Sequence, residues 1–454
     1  MPATVSHRAS SPSLSRFVAD YGMLGILILL CILFSVLTLQ DQHPAGADAA
    51  GALYAALSPA ERTEDILIVC GDNAQDQAFA DELQTRLRQS GNARVRILAG
   101  DPPSVRAQLE ALANSAPGLS LIATTQGFAP VVQTITSEIP AYSTARVLTP
   151  PSYRWPTFLL ADNVRNVANQ ITVIAIIAIG MTMVIITAGI DLSVGSLIAL
   201  SAVVTAWLIG NAGGDTASGA IMLLSGLAGI LLCGAIGGFS GLMITRFRIP
   251  PFIATLAMMQ VAAGVAYIIS QGKPIYQIPG GFVLLGRGAE PLLRVPYAVL
   301  LMLILYAMAH VVMTRTTLGR YIYAVGGNPE AARLAGIRVG GILLLVYTLC
   351  GLLAGLGGVL MASQLKSGAP TYGLTYELYV IAAVVVGGTS LSGGEGRIIG
   401  TLIGALTIAV IQNGMNLTNV ETYTQKVVLG LVILGAVLLD RLKQQGIRLK
   451  MRRT

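Results

Sequence analysis

The sequence predicts an all-α polytopic membrane protein of about ten transmembrane helices, with a small α/β extracytoplasmic domain inserted between the first and second spans. Three observations carry this prediction. The 454 residues are 54% hydrophobic and only 11% charged, too few polar groups to cover a soluble protein of that length, where roughly a quarter of residues are charged. The apolar residues collect in runs near the ~20 that a helix needs to cross the hydrocarbon core. Residues 41–165, between the first run and the second, instead alternate short buried-strand patterns with amphipathic helical ones.

The apolar runs are residues 21–40, 166–188, 192–211, 218–245, 251–271, 296–314, 342–363, 375–392, 398–417 and 424–440. Small residues (Ala45, Ala47, Ala49) follow the first run as they would a signal-cleavage site. Its apolar core exceeds the ~7–15 residues of a signal, so it is expected to remain a membrane helix. Charge supports the count. With the N-terminus inside, ten spans place Arg246 and Arg248, then Arg315, Arg320, Arg333 and Arg338, and finally Arg441, Lys443, Arg448, Lys450, Arg452 and Arg453 in the cytoplasm, where Lys and Arg collect beside spans. These clusters therefore read as topology, and no nucleic-acid partner is expected. The expected divisions are a cytoplasmic N-terminus and first helix (1–40), the α/β insertion (41–165), the transmembrane domain (166–442) and a basic cytoplasmic tail (443–454), with both termini cytoplasmic.

Within the insertion, Asp65 to Gly71 (DILIVCG), Arg94 to Leu98 and Leu119 to Thr125 read as strands. Gln75 to Gln89, with Ala78, Phe79, Leu83 and Leu87 at helical spacing, and Pro102 to Ser115 read as helices. Strand and helix in alternation imply a small parallel sheet. The segment holds 13 of the chain's 22 acids, 9 of its 29 basic residues and no lysine, so an acidic unit is joined to a basic membrane domain. Cys-Gly-Asp-Asn after its first strand would line a ligand crevice at the carboxyl ends of the strands. A docking or stabilising role without a small ligand is the preferred reading.

Covalent chemistry finds no support. Cys31, Cys70, Cys233 and Cys350 sit singly, and His7, His43 and His310 are scattered, without the spacing of a metal or redox site. Other features stand out in the membrane part. Gly189 to Gly195 (GIDLSVG) places Asp191 alone among the otherwise uncharged residues Asn166 to Gly214, at an insertion cost of ~2.5–3.5 kcal/mol near a bilayer centre. The pattern Gly-x-x-Leu-Ser-x-Gly recurs at Gly388 to Gly394, and paired glycine-interrupted segments suggest broken helices at a functional interface. Asp191, Ser193, Gly195 and Ser392 are thus candidates for a translocation path or a structural hairpin. For Asp191 a substrate contact and a hairpin-pinning role are both open, and pinning is preferred. Gln260 and, within one turn, Gln412, Asn413 and Asn416 supply neutral amides suited to hydroxyl groups, or equally to interhelical bonds. Finally, Gly327 to Gly340 (GNPEAARLAGIRVG) opens like a helix: Asn328 caps, Pro329 fits the first turn and Glu330 favours the positive end of the dipole.

Ile179 to Leu200 (IGMTMVIITAGIDLSVGSLIAL), with the Glu-Ala-Ala...Gly element that follows Pro329, resembles the permease subunits of bacterial ATP-driven (ABC) carbohydrate importers of the ribose type. The resemblance covers Asn166 to Leu442. It implies a permease of the bacterial inner membrane, embedded in membrane lipid and working as a homodimer or paired with a related permease. It further implies an ABC-type ATPase subunit and a periplasmic sugar-binding protein as partners, and a small-molecule sugar as substrate. In such permeases the second element is the coupling helix, so Asn328, Pro329, Glu330, Ala331, Ala332, Leu334 and Gly336 are the implied ATPase-coupling residues. No Gly-x-x-x-x-Gly-Lys-[Ser/Thr] occurs here, so ATP and Mg are expected on the partner ATPase and no cofactor in this chain. The usual permease has only a short loop where the insertion lies. The alternatives are a permease for amino acids or another small polar solute, a secondary transporter, and a membrane receptor using the insertion as sensor. The Gly-Ile-Asp-Leu-Ser-Val-Gly segment favours sugar, the coupling helix disfavours an ATP-independent carrier, and a sensor would need a cytoplasmic output domain.

Overall fold

The computed structural model describes residues 14–115, 120–292 and 294–451. The ends of the expected cytoplasmic N-terminus and basic tail, residues 1–13 and 452–454, lie outside the described residues. The chain forms two compact units, one of residues Leu39–Thr157 and one of the residues up to Thr38 joined with those from Phe158 on.

Helix α1 (Leu14–Leu37) opens the helical unit. The chain then builds the other unit from β1 (Leu39–Gln42), α2 (Gly46–Ala56), β2 (Ile66–Cys70), α3 (Ala74–Gln89), β3 (Val95–Ala99), α4 (Pro102–Ser115), β4 (Leu121–Thr124), α5 (Ala129–Glu138), β5 (Arg146–Leu148) and β6 (Tyr153–Pro156). Four strands pair in parallel in the order β3-β2-β4-β5, with Ile66 opposite both Val95 and Leu121. Strand β2 is apolar throughout because helices cover both faces. Ile66, Ile68 and Cys70 pack with Leu53, Phe79 and Leu83, and Leu67 and Val69 with Val105, Leu109 and Val132. Asn73 caps α3 by accepting the Asp76 amide at 2.9 Å. The antiparallel ribbon of β1 and β6 brings the two ends of the unit side by side, the geometry that lets a domain be inserted into another chain.

The helical unit continues with α6 (Ala161–Ile186), α7 (Val194–Asn211), α8 (Gly219–Arg246), α9 (Pro251–Ser270), α10 (Gly280–Arg287), α11 (Tyr297–Arg315), α12 (Thr317–Gly327), α13 (Pro329–Leu334), α14 (Val339–Leu365), α15 (Tyr376–Val386), α16 (Ile398–Leu417) and α17 (Thr422–Met451). Seven of these, α6, α7, α8, α9, α11, α14 and α16, are long and apolar enough to cross a membrane. Gly22–Leu37 of α1, all of α15 and Thr422–Leu438 of α17 are apolar but shorter. The residues expected as a basic tail up to Met451 continue α17 as helix.

Burial sorts the helices. Every residue of α6 from Ile171 to Ile186 is buried, whereas α8 and α9 expose Leu223, Leu224, Leu231 and Ile268, a surface suited to lipid. Helices α8 and α14 touch through glycine: a Cβ on Gly237 would lie 3.1 Å from the Gly351 Cα. Small residues that admit such close backbone approach are the rule between membrane helices.

The expected span over 375–392 is corrected. Helix α15 has 11 residues, about 16 Å long and roughly half the hydrocarbon thickness. It stops because Gly387 is followed by Gly388 at φ +87°. Before it, residues 366–375 run without helix, through Lys366 and Thr375 in left-handed conformations. That segment lies along α7, with Gly368 against Ala202 and Gly373 against Ile198.

Candidate functional site

Between α6 and α7 the chain turns through Ala188 at φ +60° and carries Asp191 and Ser193, both fully buried. Asp191 Oδ1 accepts hydrogen bonds from the Ser193 amide at 2.9 Å and the Ser193 hydroxyl at 2.6 Å. Helix α7 starts at the next residue, so the carboxylate stands beside a positive helix end. From α14, Tyr347 packs on Gly189, whose added Cβ would lie 3.3 Å from the Tyr347 Cζ, and the Cys350 thiol flanks the carboxylate. The hairpin thus supplies bonding partners to Asp191 Oδ1, while Oδ2 is buried without a hydrogen-bond partner among the described residues.

Gly195 has no room for a side chain: a Cβ would lie 2.6 Å from the Gly373 carbonyl oxygen and would overlap the Glu377 carboxylate. The first turns of α7 and α15 therefore meet at Gly195, each presenting an N-terminus. Glu377 was missed from the sequence, although a signal was present. It is the sole charge between Lys366 and Glu395, the same isolation that singles out Asp191.

A cleft of about 260 Å³ opens within the helical unit, lined by Val167, Gln170, Ile171 and Ile174 of α6, Tyr376 and Tyr379 of α15, Ala409, Gln412 and Asn416 of α16 and Gln425 of α17. The two tyrosine rings stand edge to face, 6.1 Å apart at 83°, and the Gln425 amide donates to Asn416 Oδ1 at 2.9 Å. No lining side chain carries a charge. Amides and phenols bond neutral hydroxyl groups, and ring faces bury the apolar side of a small ring-shaped solute.

Of the three amides singled out on α16, the cleft takes Gln412 and Asn416 but not Asn413. Asn413 instead exchanges two hydrogen bonds with Asn163 of α6, at 2.9 and 3.0 Å. A separation of three residues turns 60° short of a full helical circle, enough to place Asn413 and Asn416 in different grooves. Ser392 lies in the loop between α15 and α16, where its amide donates to the Ser390 hydroxyl at 3.2 Å. Gln260 is exposed on α9.

Helix α13 is one short turn held open to solvent. The Asn328 side chain accepts the Ala331 amide at 3.0 Å, Pro329 takes the first position, and Gly336 ends the turn at φ +85°. Ala332 packs inward, while Leu334 is 90% exposed and Glu330 pairs with Arg333 at 3.1 Å on the surface. The turn thus presents Leu334 to solvent beside the exposed Glu330–Arg333 pair.

Residues 163–437 match the family model described as branched-chain amino acid transport system / permease component. The chain belongs to this permease family. It is similar to the ribose import permease protein RbsC of Escherichia coli (strain K12), 46% identical over 294 residues, covering 64% of this chain and 88% of that one. The RbsC of Bacillus subtilis (strain 168) is 44% identical over 63% of this chain and 87% of its own. The L-arabinose transport system permease protein AraH of E. coli (strain K12) is 38% identical over 64% and 87%. No solved structure matches the chain at a significant level. This permease is a transport subunit of a multi-pass membrane protein class, not an enzyme. Its match to the family begins after the β1–β6 unit ends, so Leu39–Thr157 lies outside it.

Proposed function

We propose that this permease carries a sugar across the bacterial inner membrane as the membrane-spanning subunit of an ABC importer. The observation that carries the reading is the set of sugar permeases that it resembles at 38 to 46% identity along most of their length. The neutral cleft supports it, since a zwitterionic amino acid would call for charged partners that the lining lacks. The family model's description favours an amino acid instead, so leucine is the competitor to test.

In this reading the three shorter apolar helices join the seven long ones to make ten membrane helices, with both termini in the cytoplasm. The cleft then opens outward, between the outer ends of α6, α16 and α17, and its floor is the half-length helix α15. A periplasmic sugar-binding protein delivers the substrate there. Two permease chains, identical or related, each place α13 in a groove of an ABC-type ATPase, which holds ATP and Mg. Closure of the ATPases moves the α13 pair together and rocks the helical units between outward- and inward-open states. Asp191 and Ser193 hold the hairpin, while Gln412, Asn416 and the two tyrosines contact the sugar. The Leu39–Thr157 unit stands outside and helps receive the binding protein through its acidic surface, an attraction that weakens with salt over ~8 Å at physiological ionic strength.

Cells expressing the permease with its ATPase and binding protein should accumulate labelled ribose, and unlabelled arabinose but not leucine should compete. Leucine uptake without ribose uptake would overturn the reading. Replacing Leu39–Thr157 by a short linker should preserve insertion and ATPase assembly while weakening binding-protein docking, most at low salt. Unchanged docking would remove the receiving role.

A further inference from the structure

The chain leaves α12 and enters α13 through Gly326, Gly327 and Asn328. This exit is knitted to two other segments. The Gly394 amide, in the loop between α15 and α16, donates to the carbonyl of Ile186, the last residue of α6, at 2.8 Å. The Tyr323 hydroxyl of α12 donates to the Gly396 carbonyl of the same loop at 2.7 Å. Gly326 sits between them: a Cβ there would overlap the Ile186 carbonyl oxygen and lie 2.7 Å from the Gly394 amide nitrogen. On the far side, a Cβ on Gly393 would lie 2.8 Å from the Cβ of Ala188, and one on Gly394 would lie 2.9 Å from the Gly327 Cα. Ala188 begins the hairpin that holds Asp191. Three main-chain segments thus meet with no side chain larger than the Ala188 methyl between them, and Tyr323 ties the one that leads to α13.

We propose that this junction is the mechanical link from α13 to the translocation path, with Tyr323 and Gly326 as positioning residues. It rests on the reading of α13 as the ATPase contact. Movement of α13 pulls the end of α12, and contact between main-chain atoms leaves no soft side chain to absorb the displacement. The pull is delivered to two places at once. One is the Ala188 turn ahead of the Asp191 hairpin and α7. The other is the loop that joins half-helix α15, which floors the cleft, to α16, which lines its wall. Packed contacts of this kind switch between discrete arrangements rather than deform continuously. The repeated Gly-x-x-Leu-Ser-x-Gly pattern gains a role here, since its second copy supplies Gly393 and Gly394 and its first follows the Ala188 turn.

The test uses proteoliposomes holding the full chain, its ATPase and binding protein, with D-ribose as probe. Tyr323→Phe removes one hydroxyl and should leave ATPase assembly and maximal hydrolysis within about twofold, while ribose taken up per ATP falls about three- to tenfold, the worth of one partly buried hydrogen bond. Amide exchange in residues 187–193, which should change on addition of a non-hydrolysable ATP analogue in the wild type, should lose most of that response. Gly326→Ala should give the same defect more strongly, and if it fails to fold, Tyr323→Phe still decides. Unchanged uptake per ATP, or an intact exchange response, in Tyr323→Phe would overturn the link. Glu330→Arg separates the two failures: it abolishes ATPase binding if α13 is the ATPase contact, and normal binding there would refute that underlying reading instead.

Discussion

Ser193→Ala probes the Asp191 hairpin with the least disturbance. The Ser193 hydroxyl donates to Asp191 Oδ1 at 2.6 Å, and both residues are fully buried. Although Ser193 precedes α7, its side chain makes no capping bond to the helix, so its removal reads the carboxylate bond alone. The amide bond from Ser193 at 2.9 Å survives the change. A hydrogen bond to a charged group contributes ~1.5–3 kcal/mol, and a loss of ~2 kcal/mol lowers the unfolding temperature of a unit this large by roughly 3 °C. Heating in detergent followed by size-exclusion chromatography measures the shift, which should be the same with and without D-ribose. In an Asp191→Asn background the effect of Ser193→Ala should shrink to the ~1 kcal/mol of a neutral bond. If Ser193→Ala leaves the melting point within ~1 °C yet raises the transport half-saturation constant, the pair contacts sugar and the pinning role is refuted.

Glu330→Arg converts the exposed Glu330–Arg333 pair into like charges; stability should change by less than ~0.5 kcal/mol while co-purification of the ATPase and ribose uptake collapse, and retained uptake would deny α13 its role. Gln412→Ala should raise the half-saturation constant for ribose several-fold at unchanged stability, whereas Asn413→Ala should cost ~0.6–1.7 kcal/mol at an unchanged constant; the reverse pattern would remove the cleft from the path. In the β1–β6 unit, the Ser58 amide and then the Ser58 hydroxyl, with Arg146, hold the Glu61 carboxyl below its ordinary range. The stabilisation is therefore present above the unfolded value and lost as pH falls through the folded one, so proteolysis of this unit should accelerate in acid, and less steeply in Glu61→Gln; identical pH profiles would contradict the assignment.

Most of the fold was legible because periodicity reports burial. The helix read over Gln75 to Gln89 and the strand read over Asp65 to Gly71 stand as α3 and β2, where apolar spacing matches the buried faces. Strand β5, with three residues, is too short to show a period, and α2 (GADAAGALYAA) is written in small residues that look the same in loop and helix. The run over 375–392 misled because hydropathy counts apolar residues regardless of whether Gly387 and Gly388 end the helix between them. In the site, the isolation of Asp191 was visible, but its partners were not, since Tyr347 and Cys350 arrive from a helix more than 150 residues later. Asn413 and Asn416 were indistinguishable by composition. Only the position of α6 decides which one meets Asn163 and which faces the cleft.

Sugar transport driven by a partner ATPase is tested most directly in proteoliposomes containing this permease, its ATPase and its binding protein, with ATP and labelled D-ribose supplied. Ribose should accumulate against its gradient only when all three proteins and ATP are present, and should fall to background with Glu330→Arg. Accumulation that persists without the ATPase, or none of ribose alongside robust uptake of leucine, would contradict it.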